Sequence, residues 1–578
     1  MTYTGAMTSA TNKSISGIEA MVELLAGLGV RYVFGNPGTT ELPLNDLLVT
    51  DQRLQYILGL QEVPVMGMAD GYAMASGTIG LVNLHISCGL GNAMGILYNA
   101  YREGTPLLVT AGQQDRRLAF DEPILGGDMV SVARPWTKWS VEVSRVEDLP
   151  TALRRAVQCA LTPPTGPVFL SLPIDVQLER SDKLDLAPIR LPDFRVRPPQ
   201  AAIAEASRVL LEARNPAILA GSRVCERSAV SELVTVAEIL GCPVYSEPGT
   251  THGRLAFPCD HPLYGQGLPL WSPEVLERLA PHDCIFVTGM DLMRLYMFHE
   301  PSRPLPPNIK IVHLDESSWQ LNKNYACDVA ILGDTREGLA LLSSEMRLKQ
   351  TSAKQEELHA RRQRTAAAHQ AAREKLEAQI ARLEPTTPLS PLAAMAAVAR
   401  VLPPDIAVVE EAVTTTGTTL ERLGAIKNTT GYFGHRGWTL GWGLGVAIGA
   451  KLAWPDRPVL AILGEGAALY GIQGLWTAAR YQLPVIFLIC NNAQYQILKI
   501  GARGLGLPQA LEGNFEALDI AAPEVDFVSL ARSLGVDSMR ITSASELSEV
   551  LAANWNRRSP LLIDLPIERT TQPRLNYG

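Results

Sequence analysis

Eleven short apolar runs, none alternating with polar residues and each flanked by a helical pattern, constrain this chain more than any other feature. Tyr32–Phe34, Leu81–Leu84, Leu107–Thr110 and Val168–Leu172 form a first group. Ala217–Leu219, Cys284–Thr288 and Lys310–Leu314 form a second, and Ile406–Val409, Val459–Leu463, Val485–Ile489 and Leu561–Leu565 a third. A strand with one face in water alternates; a strand apolar throughout is covered on both faces, as in parallel sheets sandwiched by helices. The fold class that follows is α/β, with three doubly wound parallel-sheet domains. A length of 578 residues, too great for one core, agrees.

The first and third groups look like copies of one unit. Gly166-Pro-Val-Phe-Leu-Ser-Leu-Pro173 closes the first and Ser559-Pro-Leu-Leu-Ile-Asp-Leu-Pro566 the third. Ala100, Pro106, Leu107–Thr110 and Gln113-Gln114 recur at the same offsets as Ala478, Pro484, Val485–Leu488 and Asn491-Asn492. Breakers set the boundaries. Leu191–Gln200 carries three prolines, and Thr351 to Leu383 is an Ala/Glu/Gln/Lys/Arg stretch that reads as an exposed connecting helix, ended by Pro385-Thr-Thr-Pro388. The expected division is residues 1–190, 191–350, a connecting helix 351–384, and 385–578.

Net charge is −8, without a basic stripe for nucleic acid or a basic amphipathic helix for a membrane surface. No apolar run reaches spanning length, and Met1 to Ser14, lacking basic and apolar signal regions, reads as a frayed tail. The eight cysteines stand singly without zinc-ligand spacing, so reduced thiols in a cytoplasmic protein are expected.

One segment carries chemistry. Val459–Leu463 runs into Gly464-Glu465-Gly466, then a helix expected from Tyr470 to Arg480, then Val485–Ile489 and Asn491-Asn492. Glycines at a strand's carboxyl end admit a ligand, and the next helix start offers unpaired N–H groups to phosphate. Glu465 and Asn492 supply hard oxygens suited to Mg²⁺ shared with phosphate.

This segment resembles the diphosphate-binding motif of the thiamine diphosphate enzyme superfamily, with Glu465 where that family has Asp. The resemblance implies Glu465, Asn492 and the Gln494 carbonyl as metal ligands, and Gly464, Gly466 and Ala467 at the cofactor. Val33-Phe-Gly-Asn-Pro-Gly-Thr-Thr-Glu-Leu42, Leu60-Gln-Glu-Val63, Leu84-His-Ile-Ser-Cys-Gly-Leu-Gly-Asn-Ala-Met-Gly95, Val109-Thr-Ala-Gly-Gln-Gln114, Leu440-Gly-Trp442 and Gly474-Leu-Trp-Thr-Ala-Ala479 are similar to the benzoylformate decarboxylases. The resemblance implies a pyrimidine-binding domain, a central domain and a diphosphate-binding domain. It also implies a homotetramer, a dimer of dimers with active sites at the subunit interface.

It further implies roles. Glu62 bonds the pyrimidine of the cofactor and promotes loss of the C2 proton. Leu440 bends the cofactor, Thr414 and Thr415 meet the diphosphate, and Val413 stands where a hydroxyl is expected. His85 handles protons, as a side chain titrating near neutrality can, and Thr39 matches a serine that meets the substrate carboxylate. Ile497 and Leu498 match pocket positions, and their apolar character favours an aromatic or branched acyl group. A second active-site histidine of that family falls at Tyr296, with His299 one turn on; either is a candidate to replace it.

The implied activity is non-oxidative decarboxylation of a 2-oxo acid to an aldehyde, through a C2 ylid and an enamine. The alternative is a carboligase or lyase that forms or cleaves 2-hydroxy ketones with an acceptor aldehyde, as in acetolactate synthase-like members, some of which bind FAD. Ala217-Ile-Leu-Ala-Gly-Ser-Arg223 gives no specific support for FAD. A catalytically silent cofactor-binding subunit would lose Glu62 or both metal ligands; Glu62 and Asn492 are present.

Overall fold

The computed structural model of this protein describes residues 14–247, 253–296, 298–384 and 387–569. The expected tail up to residue 13 and the break at Pro385 lie outside the described residues. The chain divides into two compact units, one of Met1–Ala73 with Thr78–Asp193, the other of Met74–Gly77 with Phe194–Gly578.

The first unit is built on one six-stranded sheet: β1 (Tyr32–Asn36), β2 (Gln55–Leu58), β3 (Gly80–Leu84), β4 (Leu107–Gln113), β5 (Ser140–Glu142) and β6 (Val168–Pro173). All pairs are parallel, in the order β2-β1-β3-β4-β6-β5. Val33, Leu81, Leu108 and Leu170 bury one face among Met21, Leu25, Leu153 and Val157, which come from helices Gly17–Gly27 and Leu149–Leu161. Helices α1 (Glu62–Ser76) and α2 (Ile86–Glu103) follow strands β2 and β3 in the chain.

The second unit contains two further parallel sheets. One holds β7 (Pro216–Ala220), β8 (Val244–Ser246), β9 (Tyr264–Gly267), β10 (Cys284–Thr288), β11 (Lys310–Asp315) and β12 (Val329–Leu332), ordered β9-β8-β7-β10-β11-β12. The other holds β13 (Ala407–Glu411), β14 (Tyr432–Phe433), β15 (Val459–Gly464), β16 (Val485–Asn491), β17 (Asp537–Arg540) and β18 (Leu561–Pro566), ordered β14-β13-β15-β16-β18-β17. One continuous buried apolar cluster includes Ile218, Phe286 and Val312 of the first of these sheets and Val408, Ile462 and Leu488 of the second.

The suspected repeat is real in the topology. Numbered within their own sheets, the first and third both read 2-1-3-4-6-5, whereas the middle sheet reads 3-2-1-4-5-6. Even the registers coincide, for Gln113 pairs with Pro173 as Asn491 pairs with Pro566.

The expected connecting helix is α3 (Ser352–Leu383), capped by the Thr351 hydroxyl on the Lys354 amide. Only Leu358, Arg361, Leu376 and Ile380 on it are buried. The expected helix from Tyr470 to Arg480 needs correction. Helix α5 (Glu465–Gly471) begins at the carboxylate itself and breaks at Ile472-Gln473, and α6 (Gly474–Arg480) follows, while α4 (Trp442–Ala453) precedes both.

Candidate active site

In the first unit the functional side chains gather at the carboxyl ends of β1, β3 and β4. Glu62 opens α1 and is buried. One of its oxygens accepts from Asn36 Nδ2 at 3.1 Å and the other from Asn92 Nδ2 at 3.0 Å. Both partners are neutral amides, and two of the roughly four lone-pair sites of a carboxylate remain for a further donor.

His85 follows β3 directly and stands at the cap position of α2. Its Nδ1 lies 2.8 Å from Glu41 Oε2. Glu41 is buried, and it also accepts from the backbone amides of Gly38 and Gly112 and from the Thr40 hydroxyl. This fixes the ring through Nδ1. Gly38 is obligatory here, because a Cβ would sit 2.1 Å from His85 Nδ1. Thr39 is exposed at the head of this turn, while the neighbouring Thr40, 3.3 Å from His85 Nδ1, is buried. Glu41 escaped notice in the sequence although it lies inside a quoted motif. Its bonds to Gly112 and His85 span 71 and 44 residues, and no local pattern reports such contacts.

In the second unit a clamp forms at the carboxyl ends of β15 and β16. The side-chain oxygens of Glu465 and Asn492 each accept from the one Gln494 amide, at 3.1 Å, so both aim at the same few ångströms of space. The Gln494 carbonyl accepts from the Gln496 amide at 2.9 Å and keeps a second lone pair. Asn491 takes a different part, tying Asp564 to the Ala493 amide. Burial raises the Glu465 pKa above the usual carboxylate range, against the opposing pull of backbone amides. Gly464 caps α5, Ala467 is buried in its first turn, and a Cβ at Gly466 would stand 3.0 Å from the Tyr495 ring.

Thr414 is half-buried, whereas Thr415 is buried and hydrogen-bonded to the Cys490 thiol. Leu440 is 37% exposed. The turn that carries it is held from below by Glu411, whose carboxylate accepts from the amides of Gly441, Trp442 and Gly443 at 2.8, 3.2 and 2.8 Å.

The candidates for the missing histidine lie in an aromatic cluster. Tyr296 stands 5.1 Å from the Trp438 ring and 6.2 Å from Trp271, and His299 sits edge-on to Trp271 at 4.6 Å. Ile497, Val413 and Trp438 pack on Leu270, Trp271 and Ile500, while Leu498 is exposed. Trp271 and Trp438, which join Tyr296 and His299 in this cluster, had no signal in the sequence. Trp438 has φ +59°, a left-handed conformation that costs a non-glycine residue roughly 1–2 kcal/mol and tends to mark a functional turn.

The chain belongs to the thiamine pyrophosphate enzyme family: residues 15–123 match its N-terminal TPP binding domain, 203–342 its central domain and 413–565 its C-terminal TPP binding domain. Among its relatives is the benzoylformate decarboxylase of Pseudomonas aeruginosa, 34% identical over 562 residues that cover 96% of this chain and 99% of that one. The acetolactate synthase isozyme 3 large subunit of Escherichia coli is 26% identical, covering 96% and 95%. Two solved structures superpose closely. The benzoylformate decarboxylase of Polynucleobacter necessarius has a TM-score of 0.84 at 27% identity, covering 96% and 99% of the two chains. The thiamine diphosphate-dependent 4-hydroxybenzoylformate decarboxylase of Rhodococcus jostii has 0.82 at 29%, covering 96% and 100%.

The residues fit the family's cofactor. A buried carboxylate with lone pairs to spare suits a pyrimidine N–H, and a buried carboxylate beside an amide oxygen suits a hard cation that brings phosphate oxygens with it. Among the described residues no three His, Cys, Asp or Glu side chains cluster as a self-sufficient metal site.

Proposed function

We propose that this protein is a thiamine diphosphate- and Mg²⁺-dependent carboxy-lyase that converts an aromatic or bulky aliphatic 2-oxo acid, of the benzoylformate kind, to an aldehyde. The observation that carries the substrate reading is the apolar cluster of Trp271, Tyr296, Trp438, Val413 and Ile497, which favours a large uncharged acyl group. The likeness to benzoylformate decarboxylases over nearly the whole chain supports it.

Bound at the clamp, thiamine diphosphate supplies an electron sink for the pair released when the carboxylate leaves as CO₂. Glu465, Asn492 and the Gln494 carbonyl would hold the cation, and Gly464, Gly466, Ala467 and Thr414 would line the diphosphate. Thr415 contributes its backbone, since its hydroxyl is engaged by Cys490. Glu62 holds a proton between itself and the pyrimidine ring. Leu440 would offer an apolar surface to the cofactor, Thr39 would bond the substrate carboxylate, and His85 Nε2 would deliver a proton to the product, steadied by Glu41.

The domain division that accompanies this function is 1–190 for pyrimidine binding, 191–350 central, 351–384 connecting and 385–578 for diphosphate binding. A homotetramer in the cytoplasm, a dimer of dimers with active sites at the subunit interface, completes the proposal. Exposed apolar side chains support the assembly: Leu118, Phe120 and Ile124 in the first unit, Leu440, Leu505, Leu507 and Leu511 in the second. Flavin is not included in the proposal, since the sequence gives no specific support for it. In an open parallel sheet such a ligand lies at the switch point of strand order, here between β7 and β10. Arg223 occupies that place with bonds to Asp291 and Asp315 at 3.0 and 2.8 Å.

Carboligation to a 2-hydroxy ketone is the second reading. It is favoured by Tyr296 at the second-histidine position and by His299, which is packed against Trp271. Both readings are tested by supplying thiamine diphosphate, Mg²⁺ and a panel of 2-oxo acids, with and without an acceptor aldehyde, and following CO₂ and products. Aldehyde release from benzoylformate-like acids is expected. Acyloin as the main product without added acceptor would favour the second reading, and no CO₂ from any acid would sink both.

A further inference from the structure

A cavity of about 430 Å³ lies in the second unit between α3 and the edge of the middle sheet. Arg361, Arg364, Thr365, Ala368, His369 and Ala372 supply one wall, at the three- and four-residue spacing of a single helix face. The middle-sheet portion supplies the other, notably Tyr245, Arg278 and His282. Close docking of the helix forms one side of this open cavity. Gly241 has φ +64°, and a Cβ there would lie 2.5 Å from the Leu358 carbonyl of α3, while Thr365 donates to the Gly241 carbonyl at 3.0 Å.

The lining is one-sided in charge. Three arginines and two histidines face this cavity and no Asp or Glu does, in a chain whose net charge is −8. An adjoining recess of about 520 Å³ shares Tyr245, Arg278 and His282 but adds Glu274 and Glu277, so the excess of positive charge is confined to the first.

Two arginines there, Arg361 through its Nε and Arg364, keep donors without a protein acceptor among the described residues. Arg361 is only 3% exposed; its terminal nitrogens bond the carbonyls of Leu240 and Ala213 and the Glu357 carboxylate, yet Nε is buried without a partner. The His369 Nδ1 meets the Tyr264 carbonyl at 2.8 Å, and its Nε2 is buried and unpartnered. Arg364 is exposed and has no ion pair among the described residues. Desolvation holds both His282 and His369 below the usual histidine range, so the positive charge of the lining rests on the arginines.

We propose that this cavity is a binding site for a small phosphate ligand, apart from the active-site residues, with Arg278 and Arg364 as its cationic contacts and the buried Arg361 adding positive charge to the wall behind them. Guanidinium groups suit phosphate because their planar donors pair with two oxygens at once, and the volume falls in the range of small-molecule sites. The cavity adjoins the helix that joins the middle and last sheets, so occupancy would also stiffen that connection.

The test is isothermal titration of inorganic phosphate into the protein saturated with thiamine diphosphate and Mg²⁺, which fills the diphosphate clamp beforehand, against chloride at matched ionic strength. Saturable binding near one site per chain is expected, weakened about tenfold or more in Arg364→Glu and in Arg278→Ala. The exposed Arg364 makes its variant safe for the fold, and its thermal midpoint should match the parent's. No saturable heat beyond the chloride control overturns the proposal, as does a change of less than about threefold in the Arg364→Glu variant.

Discussion

Glu62 sits between two side-chain amides, so Glu62→Gln can keep one bond outright and the other by turning an amide. Folding should therefore survive while proton handling at the pyrimidine fails. Turnover is expected to fall by about 10²-fold or more, the usual weight of a positioned acid–base group, with thiamine diphosphate still bound. Steady-state rates beside a cofactor titration check this, and full activity in the variant would refute the role. The long side chain of Glu465 is fitted to its place, because its carboxylate already reaches the Gln494 amide. Shortening it in Glu465→Asp withdraws the oxygen by about one C–C bond length, about 1.5 Å. Apparent affinity for the cofactor with Mg²⁺ should then weaken, by about tenfold, the loss of one charge-assisted contact; tighter binding would show that the native Glu is a compromise. Single residues of this kind were legible because the motif places them at fixed offsets. Glu41, Trp271 and Trp438 were not, since what defines them is contact with residues far away in sequence.

Elements were legible where both faces of a strand are buried. Cys284–Thr288 was placed to the residue, Ile406–Val409 shifted to Ala407–Glu411, and other central strands were extended by one to three residues at their ends. The strands missed are mostly those at sheet edges, such as Gln55–Leu58, Ser140–Glu142 and Asp537–Arg540, where polar residues interrupt the apolar run that signalled the others. The break between α5 and α6 left no proline as a marker. At this scale the turn before α4 carries a pH dependence. Burial pushes the Glu411 carboxyl from an ordinary 4.5 up to about 7, against the pull of three amides. Between those values the folded chain holds the extra proton, so the group's contribution to stability is whole below about pH 4.5 and is lost as pH rises through about 7. A shift of this size corresponds to about 3 kcal/mol. Glu411→Gln should remove that slope even while lowering stability overall, because an amide cannot accept all three bonds. Thermal midpoints of parent and variant, compared at about pH 5 and about pH 7.5, read the difference. Parallel shifts in the two proteins would mean the carboxylate stays ionised.

For the whole molecule, the repeat visible as matched offsets in the sequence became two sheets of identical strand order. The Arg223 ion pairs with Asp291 and Asp315 and the arginine-lined cavity beside α3 had no such trace, each being assembled from several distant segments. Exposed apolar surface is equally hidden from sequence, since one leucine reads like another until burial is known. Phe120 is fully exposed and Ile124 nearly so, on the segment that follows β4. Side chains of this size gain about 1.5–3 kcal/mol each on burial, and clusters of them on a soluble chain mark contact surfaces. If this segment lies in the proposed subunit interface, Phe120→Asp with Ile124→Asp would place two charges in an apolar contact and break it. Sedimentation velocity should show the parent larger than one chain and the double variant smaller, with an unchanged far-ultraviolet spectrum because neither side chain touches a core. Activity should fall with assembly and recover partly at high protein concentration, as mass action requires. A variant that sediments as the parent does would remove this segment from the interface, and one that dissociates yet keeps full activity would mean that each chain completes its own active site.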